Sequence, residues 1–379
     1  MNILFLTDGI TPYVTGGMQK HSFVLVKLLL QSKINVTLVH CGYIGQTQFN
    51  EDARNLFTDK ERSFLKLIFI PFEYKGKLPG HYIYENKVYS KLIFKTFKNQ
   101  LDQFDFIYSQ GFTGWAFTKK QIRPKLLVNF HGFEMFQKAP SKKVKLEHYL
   151  LRPFVKQICR QADYVFSFGG QIDQILKRLG IPDSKILDQS NGIERKWIHT
   201  DSEVHETINF VFLGRNERRK GIVELTEALI NLKKRELFKF NFTFIGPIEK
   251  DVLLDFPQVK YTGEIKDQLK IQSLLRQQDV LVCPSHSEGM PTVILEAMAN
   301  GLAIITTDVG ASSKMIKHNG IILKNSKPST IEEAILEICN LSANQLNDLK
   351  TNSLKHVESN FIWEKIAQKL ISDLSKLKT

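Results

Sequence analysis

Strand-like runs alternate with helix-like segments through this sequence, and the alternation restarts halfway along. In the first series, residues 3–6, 36–39, 67–70, 106–108, 126–130 and 164–168 are short, β-branched or aromatic, and bounded by Gly, Pro, Asp or Asn. Periodic segments such as 21–30 and 88–101 lie between them. In the second series, residues 208–213, 241–245, 280–283 and 303–306 read as strands, with helices beginning near Gly221, Lys266, Thr292 and Thr330. Parallel strands need a crossover connection, so this alternation predicts two parallel sheets, each covered by helices on both faces. The polar, aperiodic run 195–207 separates the series, and 379 residues suit two domains of about 180 each.

In open sheets of this kind ligands bind beyond the carboxyl ends of the strands, so the residues just after each strand carry the functional signal. After the 208–213 strand comes Gly214-Arg215-Asn216-Glu217-Arg218-Arg219-Lys220-Gly221. Gly214 permits a tight turn, and Arg215 and Lys220 place two cations beside the next helix N-terminus, as a diphosphate site requires. By itself this run fits a solvated basic loop equally well. After the 280–283 strand, the segment SHSEGMPTVILEAMANG (285–301) opens a helix. Gly289 and Pro291 suit a loop whose N–H groups face an anion, with Pro near the first helical turn. Glu288 in the loop and Glu296 in the helix are two carboxylates able to accept from the hydroxyls at two ends of one ligand.

Composition narrows the function. The hydrophobic share of 42% and charged share of 24% describe a globular chain. No stretch approaches the ~20 apolar residues that span a bilayer, and MNILFLTDGI reads as a buried strand, without the basic start and cleavage site of a signal peptide. The chain is expected in the cytoplasm. Four scattered cysteines (Cys41, Cys159, Cys283, Cys339) form no zinc signature or disulfide framework. The net charge of +13 calls for an anionic partner. Nucleic acid is disfavoured because no helix-turn-helix, zinc or RNA-binding motif is present. A dinucleotide-dependent dehydrogenase is disfavoured because TDGITPYVTGG, not GxGxxG, follows the first strand.

Glu288 and Glu296, with seven residues between them, resemble the Glu-x7-Glu motif of the family-4 retaining glycosyltransferases. Other resemblances follow in order: Gly16-Gly17 to the family's N-terminal glycine loop, His131-Gly132 to its active-site histidine, and Asn191-Gly192-Ile193-Glu194 to the element ending the first domain. Gly214 to Gly221 resembles its phosphate-binding segment, TTDVGA (306–311) a following loop, and Phe361-Ile362-Trp363-Glu364 the start of its closing helix. The fold implied is α/β of the GT-B type: two facing Rossmann-like domains with parallel sheets and a cleft between them. The first would span 1–195 and carry the acceptor, the second 205–360 and bind the donor, and a helix over 361–379 would cross back onto the first.

The resemblance implies that the nucleotide sugar is a substrate, with no cofactor. Arg215 and Lys220 would bind its diphosphate and stabilise the leaving charge, Glu296 the ribose, and Glu288 the donor-sugar hydroxyls, helped by N–H groups near Gly289 and Met290. Gly17 would allow close backbone approach, and His131 would orient the sugar. Retention is expected by front-face attack, without an enzyme nucleophile, and Glu134 reads as a surface carboxylate. No carboxylate pair of metal-binding type follows a strand, so no essential metal is expected. Tyr108-Ser109-Gln110 stands where family members often carry a His, and residues 261–265 could offer backbone contacts to a base.

The acceptor is expected to be a glycan or lipid-linked molecule, with contacts from loops such as 72–84. Residues 137–160 hold seven Lys or Arg against one acid, Glu147, and Leu146, Tyr149, Leu150 and Phe154 recur there at helical spacing. Such a basic amphipathic surface suits an anionic membrane leaflet, as does the second stretch, 75–98, with Tyr82, Tyr84 and Tyr89. Pro153 counts against one unbroken helix in the first. The expected function is hexosyl transfer from a UDP- or GDP-sugar with retention, in the synthesis of a surface polysaccharide or glycolipid at the inner face of the cell membrane. A nucleotide-sugar epimerase of the same fold and a non-catalytic sugar-binding scaffold are the alternatives.

Overall fold

The computed structural model describes residues 1–14, 16–41, 49–72, 80–118, 120–200, 203–249 and 253–378, and only the backbone of residues 49–51. Thr15 of the glycine loop and residues 73–79 of the acceptor loop, of which 75–79 also open the second basic stretch, lie outside the described residues.

Two wholly parallel sheets form the frame. The first contains β1 (Asn2–Leu6), β2 (Asn35–His40), β3 (Leu65–Phe69), β4 (Phe106–Gln110), β5 (Lys125–Asn129), β6 (Tyr164–Ser167) and β7 (Ile186–Asp188), in the order β3-β2-β1-β4-β5-β6-β7. Its helices are α1 (Gly17–Gln31), α2 (Phe49–Asn55), α3 (Asp59–Arg62), α4 (His81–Phe97), α5 (Lys142–Gln161) and α6 (Gln171–Arg178). The second sheet contains β8 (Asn209–Leu213), β9 (Asn241–Ile245), β10 (Val259–Tyr261), β11 (Val280–Cys283), β12 (Ala303–Thr307) and β13 (Gly320–Leu323), in the order β10-β9-β8-β11-β12-β13. With it run α7 (Ile222–Lys234), α8 (Gln268–Arg276), α9 (Thr292–Ala299), α10 (Pro328–Cys339), α11 (Ala343–Asn360) and α12 (Trp363–Lys378).

The period-2 alternation of strand side chains sorts each sheet's residues into two cores. Leu4, Leu6, Ile107, Val128 and Val165 face α4 and α5 through Ile93, Phe97, Val155 and Ile158. Ile3, Phe5, Phe106, Tyr108, Leu127 and Phe166 face the other way, against Leu25, Val26 and Leu29 of α1. In the second sheet Phe210, Phe212, Phe242, Phe244, Val280 and Val282 pack on α7 and α10, while Val211, Ile245, Leu281 and Cys283 pack on α9.

Both sheets reverse their winding beside the first strand of the unit, between β1 and β4 and between β8 and β11. The crevice beyond the carboxyl ends at that reversal is the ligand position of doubly wound sheets. It receives the loops ending at Gly17, Gly214–Gly221 and Pro284–Pro291.

The last helix ties the halves together. Ile193 pairs with Ile362 as an isolated parallel bridge: its N–H donates to Phe361 O at 2.8 Å, and Trp363 N donates back to its carbonyl at 3.2 Å. From there α12 inserts Leu370 and Leu374 into the core of the first sheet beside α1. Each fully buried leucine contributes about 1.5–3 kcal/mol.

Three edge strands, β7, β10 and β13, have no counterpart among the sequence-derived strands, because three or four residues are too few to show a period. The sequence also expects a helix at 88–101, whereas α4 starts at His81 and ends at Phe97. Helix α5 runs through Pro153 without a break. Tyr89, read with Tyr82 and Tyr84 as part of a basic face, is a core residue packed on Phe72. Among the described residues, no helix is long and apolar enough to cross a membrane.

Candidate active site

The domains meet around a cavity of about 550 Å³ whose wall includes Gly17, Met18, His131–Met135, Gly214, Arg215, Arg219, Lys220 and Glu288–Val293. Four segments of the wall therefore converge as the topology requires, two from each sheet's unit.

Glu288 is the electrostatic centre. It is 5% exposed, and its Oε1 accepts from Lys220 Nζ at 2.7 Å and from Ser285 Oγ at 2.9 Å. Its Oε2 accepts from Arg219 Nη1 at 3.0 Å. Burial pushes the carboxyl up, but Lys220 and Arg219 together outweigh it and hold the group below the usual carboxylate range. Arg219 loses hydration by burial, yet Glu288, Glu134 and Glu217 keep its guanidinium charged more firmly than usual.

A short 3-10 turn, Arg218–Lys220, decides which cation points where. Arg218 is turned away to Glu224, with Nη1 to Oε2 at 2.7 Å and Nη2 to Oε1 at 2.5 Å. Arg219 and Lys220 face the cleft. Arg215 lies at its lip, largely exposed, with Nη2 2.7 Å from Glu217 Oε1. The turn ends on Gly221 at φ +71°, where a Cβ would also run into Pro284 O, so glycine is required twice over.

The domains touch backbone to backbone at Gly132 and Gly289. A Cβ on Gly289 would lie 2.8 Å from Gly132 Cα, closer than side chains tolerate. Gln137 spans the same contact: its Nε2 donates to Gly132 O at 2.7 Å and to Glu288 O at 2.5 Å, and Glu288 N donates to its Oε1 at 3.3 Å. The backbone of Glu288 is thus held from the opposite domain.

Helices α1 and α9 both begin at this cavity, α1 at Gly17 after Gly16 and α9 at Thr292 after Pro291. Neither has a side-chain cap or an acid in its first turn, so free N–H groups and the positive helix ends stand at the cleft. Among the described residues, and apart from its chain neighbours and its own helix, nothing lies within 4 Å of a Cβ placed on Gly17, so packing leaves that side of the residue open.

His131 follows β5 at φ +59°. Its Nε2 lies 2.7 Å from Gln110 Oε1, a donor role for that nitrogen. Burial, with His21 adding to it, holds its pKa well below the ordinary value, so the ring is neutral at neutral pH. His21 stands edge-on with ring centres 4.9 Å apart, its Nδ1 2.8 Å from Asn191 Oδ1. Burial lowers its pKa to about 4.

Glu296 is not part of the cavity wall among the described residues; its carboxylate faces Lys20 Nζ of α1 at 3.8 Å, and burial raises its pKa against Lys20 and Lys220. Glu134, expected as a surface carboxylate, lines the cleft 3.7 Å from Arg219 Nη1, because the positive φ of His131 and Phe133 turns the chain inward. Burial raises its pKa. Gln110, left open by the sequence, is the partner of His131, and Tyr261 Oη is occupied by Leu254 N at 2.8 Å. Arg219 and Gln137 went unrecognised: three consecutive cations do not reveal which will face inward, and a lone glutamine carries no motif. Among the described residues, no group of three or more His, Cys, Asp or Glu is placed to hold a metal ion.

Comparison with known proteins agrees with this architecture. Residues 15–197 match the family model "Glycosyltransferase Family 4", and residues 207–340 match "Glycosyl transferases group 1". A putative teichuronic acid biosynthesis glycosyltransferase of Bacillus subtilis is 31% identical over 192 residues, 48% of each chain. A putative colanic acid biosynthesis glycosyltransferase of Escherichia coli is 23% identical over 272 residues, 68% of this chain and 65% of that one. The chain thus aligns with about half to two thirds of these relatives' length. An N,N'-diacetylbacillosaminyl-diphospho-undecaprenol alpha-1,3-N-acetylgalactosaminyltransferase of Campylobacter jejuni is 25% identical over 88% of this chain and 90% of its own. Sucrose-phosphate synthase of Thermosynechococcus elongatus superposes with a TM-score of 0.78 at 17% identity, covering 99% of this chain and 98% of that one. Anabaena Alr3699/HepE in complex with UDP and glucose gives 0.64 at 16% identity, over 98% and 99%. These structures share the two-domain GT-B fold. With both of its halves matched in order, the chain belongs to the family-4 glycosyltransferases.

Proposed function

We propose that this chain transfers a hexosyl residue from a UDP- or GDP-sugar, with retention, to a glycan or lipid-linked acceptor during synthesis of a surface polysaccharide or glycolipid. One observation carries the reading: a buried carboxylate, Glu288, lies within hydrogen-bond distance of two cations, Lys220 and Arg219, between two uncapped helix N-termini. The diphosphate would share those cations, with Arg215 at the lip, and Glu288 would be freed to accept from hydroxyls of the donor sugar.

In the reaction the acceptor oxygen bonds to the anomeric carbon as the bond from that carbon to the diphosphate oxygen breaks, on the same face. The acceptor's proton passes to the departing diphosphate. Arg219 and Lys220 stabilise the charge that builds there, taking the place of a metal ion. Neutral His131 orients the sugar by hydrogen bonding and carries no proton in the step. Glu296 would reach the ribose after parting from Lys20. The nucleotide sugar is a substrate, and no cofactor is invoked.

The acceptor side fits a lipid carrier. Leu146 and Tyr149 on α5 are 66% and 64% exposed, among exposed Lys142, Lys143 and Lys145. Each cation close to an anionic leaflet contributes about 1 kcal/mol, and this face would seat the protein on the inner side of the cell membrane. The relatives' names point the same way: one acts on a diphospho-undecaprenol-linked sugar, and two belong to polysaccharide synthesis.

The test is release of UDP or GDP from a panel of nucleotide sugars by the purified protein and its Glu288→Ala variant. Slow hydrolysis of one donor, lost in the variant, is expected. Release of neither nucleotide, with no stabilisation by either in a thermal melt, would overturn the reading and favour the scaffold.

A further inference from the structure

A second cavity, of about 300 Å³, lies at the domain junction, where three parts of the chain meet. Its wall takes Asp188, Gln189 and Ser190 from the end of the first domain, Lys314 from the second, and Lys365 and Lys369 from α12. Three lysines therefore face one carboxylate in that wall. Asp188 answers two of them, with Oδ1 2.6 Å from Lys314 Nζ and Oδ2 3.8 Å from Lys369 Nζ, while Lys369 Nζ also donates to Asp188 O at 2.7 Å and to Asp373 Oδ2, outside the wall, at 3.1 Å. Lys365 Nζ donates to main-chain oxygens, Glu358 O at 3.0 Å and Ser359 O at 3.4 Å. The wall carries an excess of positive charge, and its volume suits a small ligand.

Gln189 supplies an independent sign of a missing partner. It is 3% exposed, and its Nε2 is a buried donor with no hydrogen-bond partner among the described residues. Buried polar groups are normally satisfied, so a side chain of the cavity wall whose amide keeps an orphan donor just beneath the surface is one that a ligand in the cavity can re-pair by turning it. The other end of the same amide begins a hydrogen-bonded line to the active site. Tyr108 Oη donates to Gln189 Oε1 at 2.7 Å, Asn129 Nδ2 donates to Tyr108 Oη at 3.3 Å, and His131 N donates to Asn129 Oδ1 at 2.9 Å.

We propose that this junction pocket binds a phosphate group, free or as a small phosphomonoester, and that its occupancy is transmitted through Gln189, Tyr108 and Asn129 to His131. The lysines supply charge-assisted donors to the phosphate oxygens. The Gln189–Tyr108–Asn129 line is contiguous and buried, as a transmitting element must be. The pocket contains none of the cleft cations and does not depend on the reaction assigned to the cleft.

The test uses the full chain carrying Arg219→Ala and Lys220→Ala, which weakens the cleft's hold on phosphate. Equilibrium dialysis is run with inorganic phosphate and, separately, with glucose 1-phosphate. One saturable site is expected for at least one probe, and the tighter probe names the source of the group. Adding Lys365→Ala and Lys369→Ala is expected to weaken it by about tenfold or more, the loss of two charged hydrogen bonds. Both lysines are exposed, so folding is retained, and Lys365→Glu alone serves as the second variant. No site for either probe, or a site indifferent to these substitutions, overturns the proposal. Transmission is read from the ring resonances of His131: phosphate is expected to shift them, less so with Tyr108→Phe. Unmoved resonances at saturation overturn the coupling.

Discussion

At the scale of single residues, the cleft separates cations that look alike in sequence. Arg219 is partly buried and bonded to Glu288, whereas Arg215 is largely exposed and paired with Glu217. Arg219→Ala is therefore expected to lower kcat/KM by about 10²-fold or more, the cost of leaving a buried carboxylate short of a charged partner. Arg215→Ala should cost clearly less, and steady-state kinetics on both variants checks the order. The three cations Arg218, Arg219 and Lys220 were legible as a basic cluster, but the 3-10 turn that sends Arg218 to Glu224 has no sequence signature.

His21 gives a residue-scale prediction for stability. Its folded pKa of about 4 lies below the ordinary 6.5 because burial disfavours the imidazolium. The unfolded chain binds the proton more readily, so stability is full above pH 6.5 and falls as pH drops toward 4. A shift of this size corresponds to about 3 kcal/mol lost across that window. Melts at pH 7 and pH 4.5 should show a smaller acid-side loss for His21→Gln than for the parent chain. Equal losses would assign the acid sensitivity elsewhere.

At the scale of elements, α5 and the junction at Gly289 make opposite demands. Leu146, Tyr149 and Leu150 on α5 face solvent, while Val155, Ile158 and Cys159 further along the same helix are buried in the first core. Leu146→Glu with Tyr149→Glu should leave the melting temperature nearly unchanged. The same variant should bind anionic vesicles several-fold more weakly in a sedimentation assay, since apolar contact and local positive charge both fall. Gly289→Ala should behave differently, because its Cβ would collide with Gly132. It would pry the domains apart at the Gln137 bridge, and donor affinity should fall while each domain core stays intact. The strands and central helices were legible because their period is strong. The edge strands β7, β10 and β13 were not, and continuity of α5 through Pro153 is set by packing that no local propensity records.

For the whole molecule, the order of strand and helix told of two doubly wound sheets, and the reversal of winding told where ligands sit. How the two crevices face each other was not legible, since it depends on contacts between residues far apart in sequence: Gly132 with Gly289, Gln137 with Glu288, Lys20 with Glu296. That facing makes one cavity of loops from both sheets and sets His131 and Glu134 beside the cluster of Lys220, Arg219 and Glu288, which the second sheet assembles by itself.

The central claim is that this cavity is a nucleoside-diphosphate site built on those two cations. Titration calorimetry of UDP and GDP into the parent chain and into Lys220→Ala and Arg219→Ala tests it most directly. One nucleotide is expected to bind the parent, with affinity lower by about tenfold or more in each variant, as loss of one charge-assisted hydrogen bond implies. Equal affinity in all three proteins, or no binding to the parent, would contradict the account.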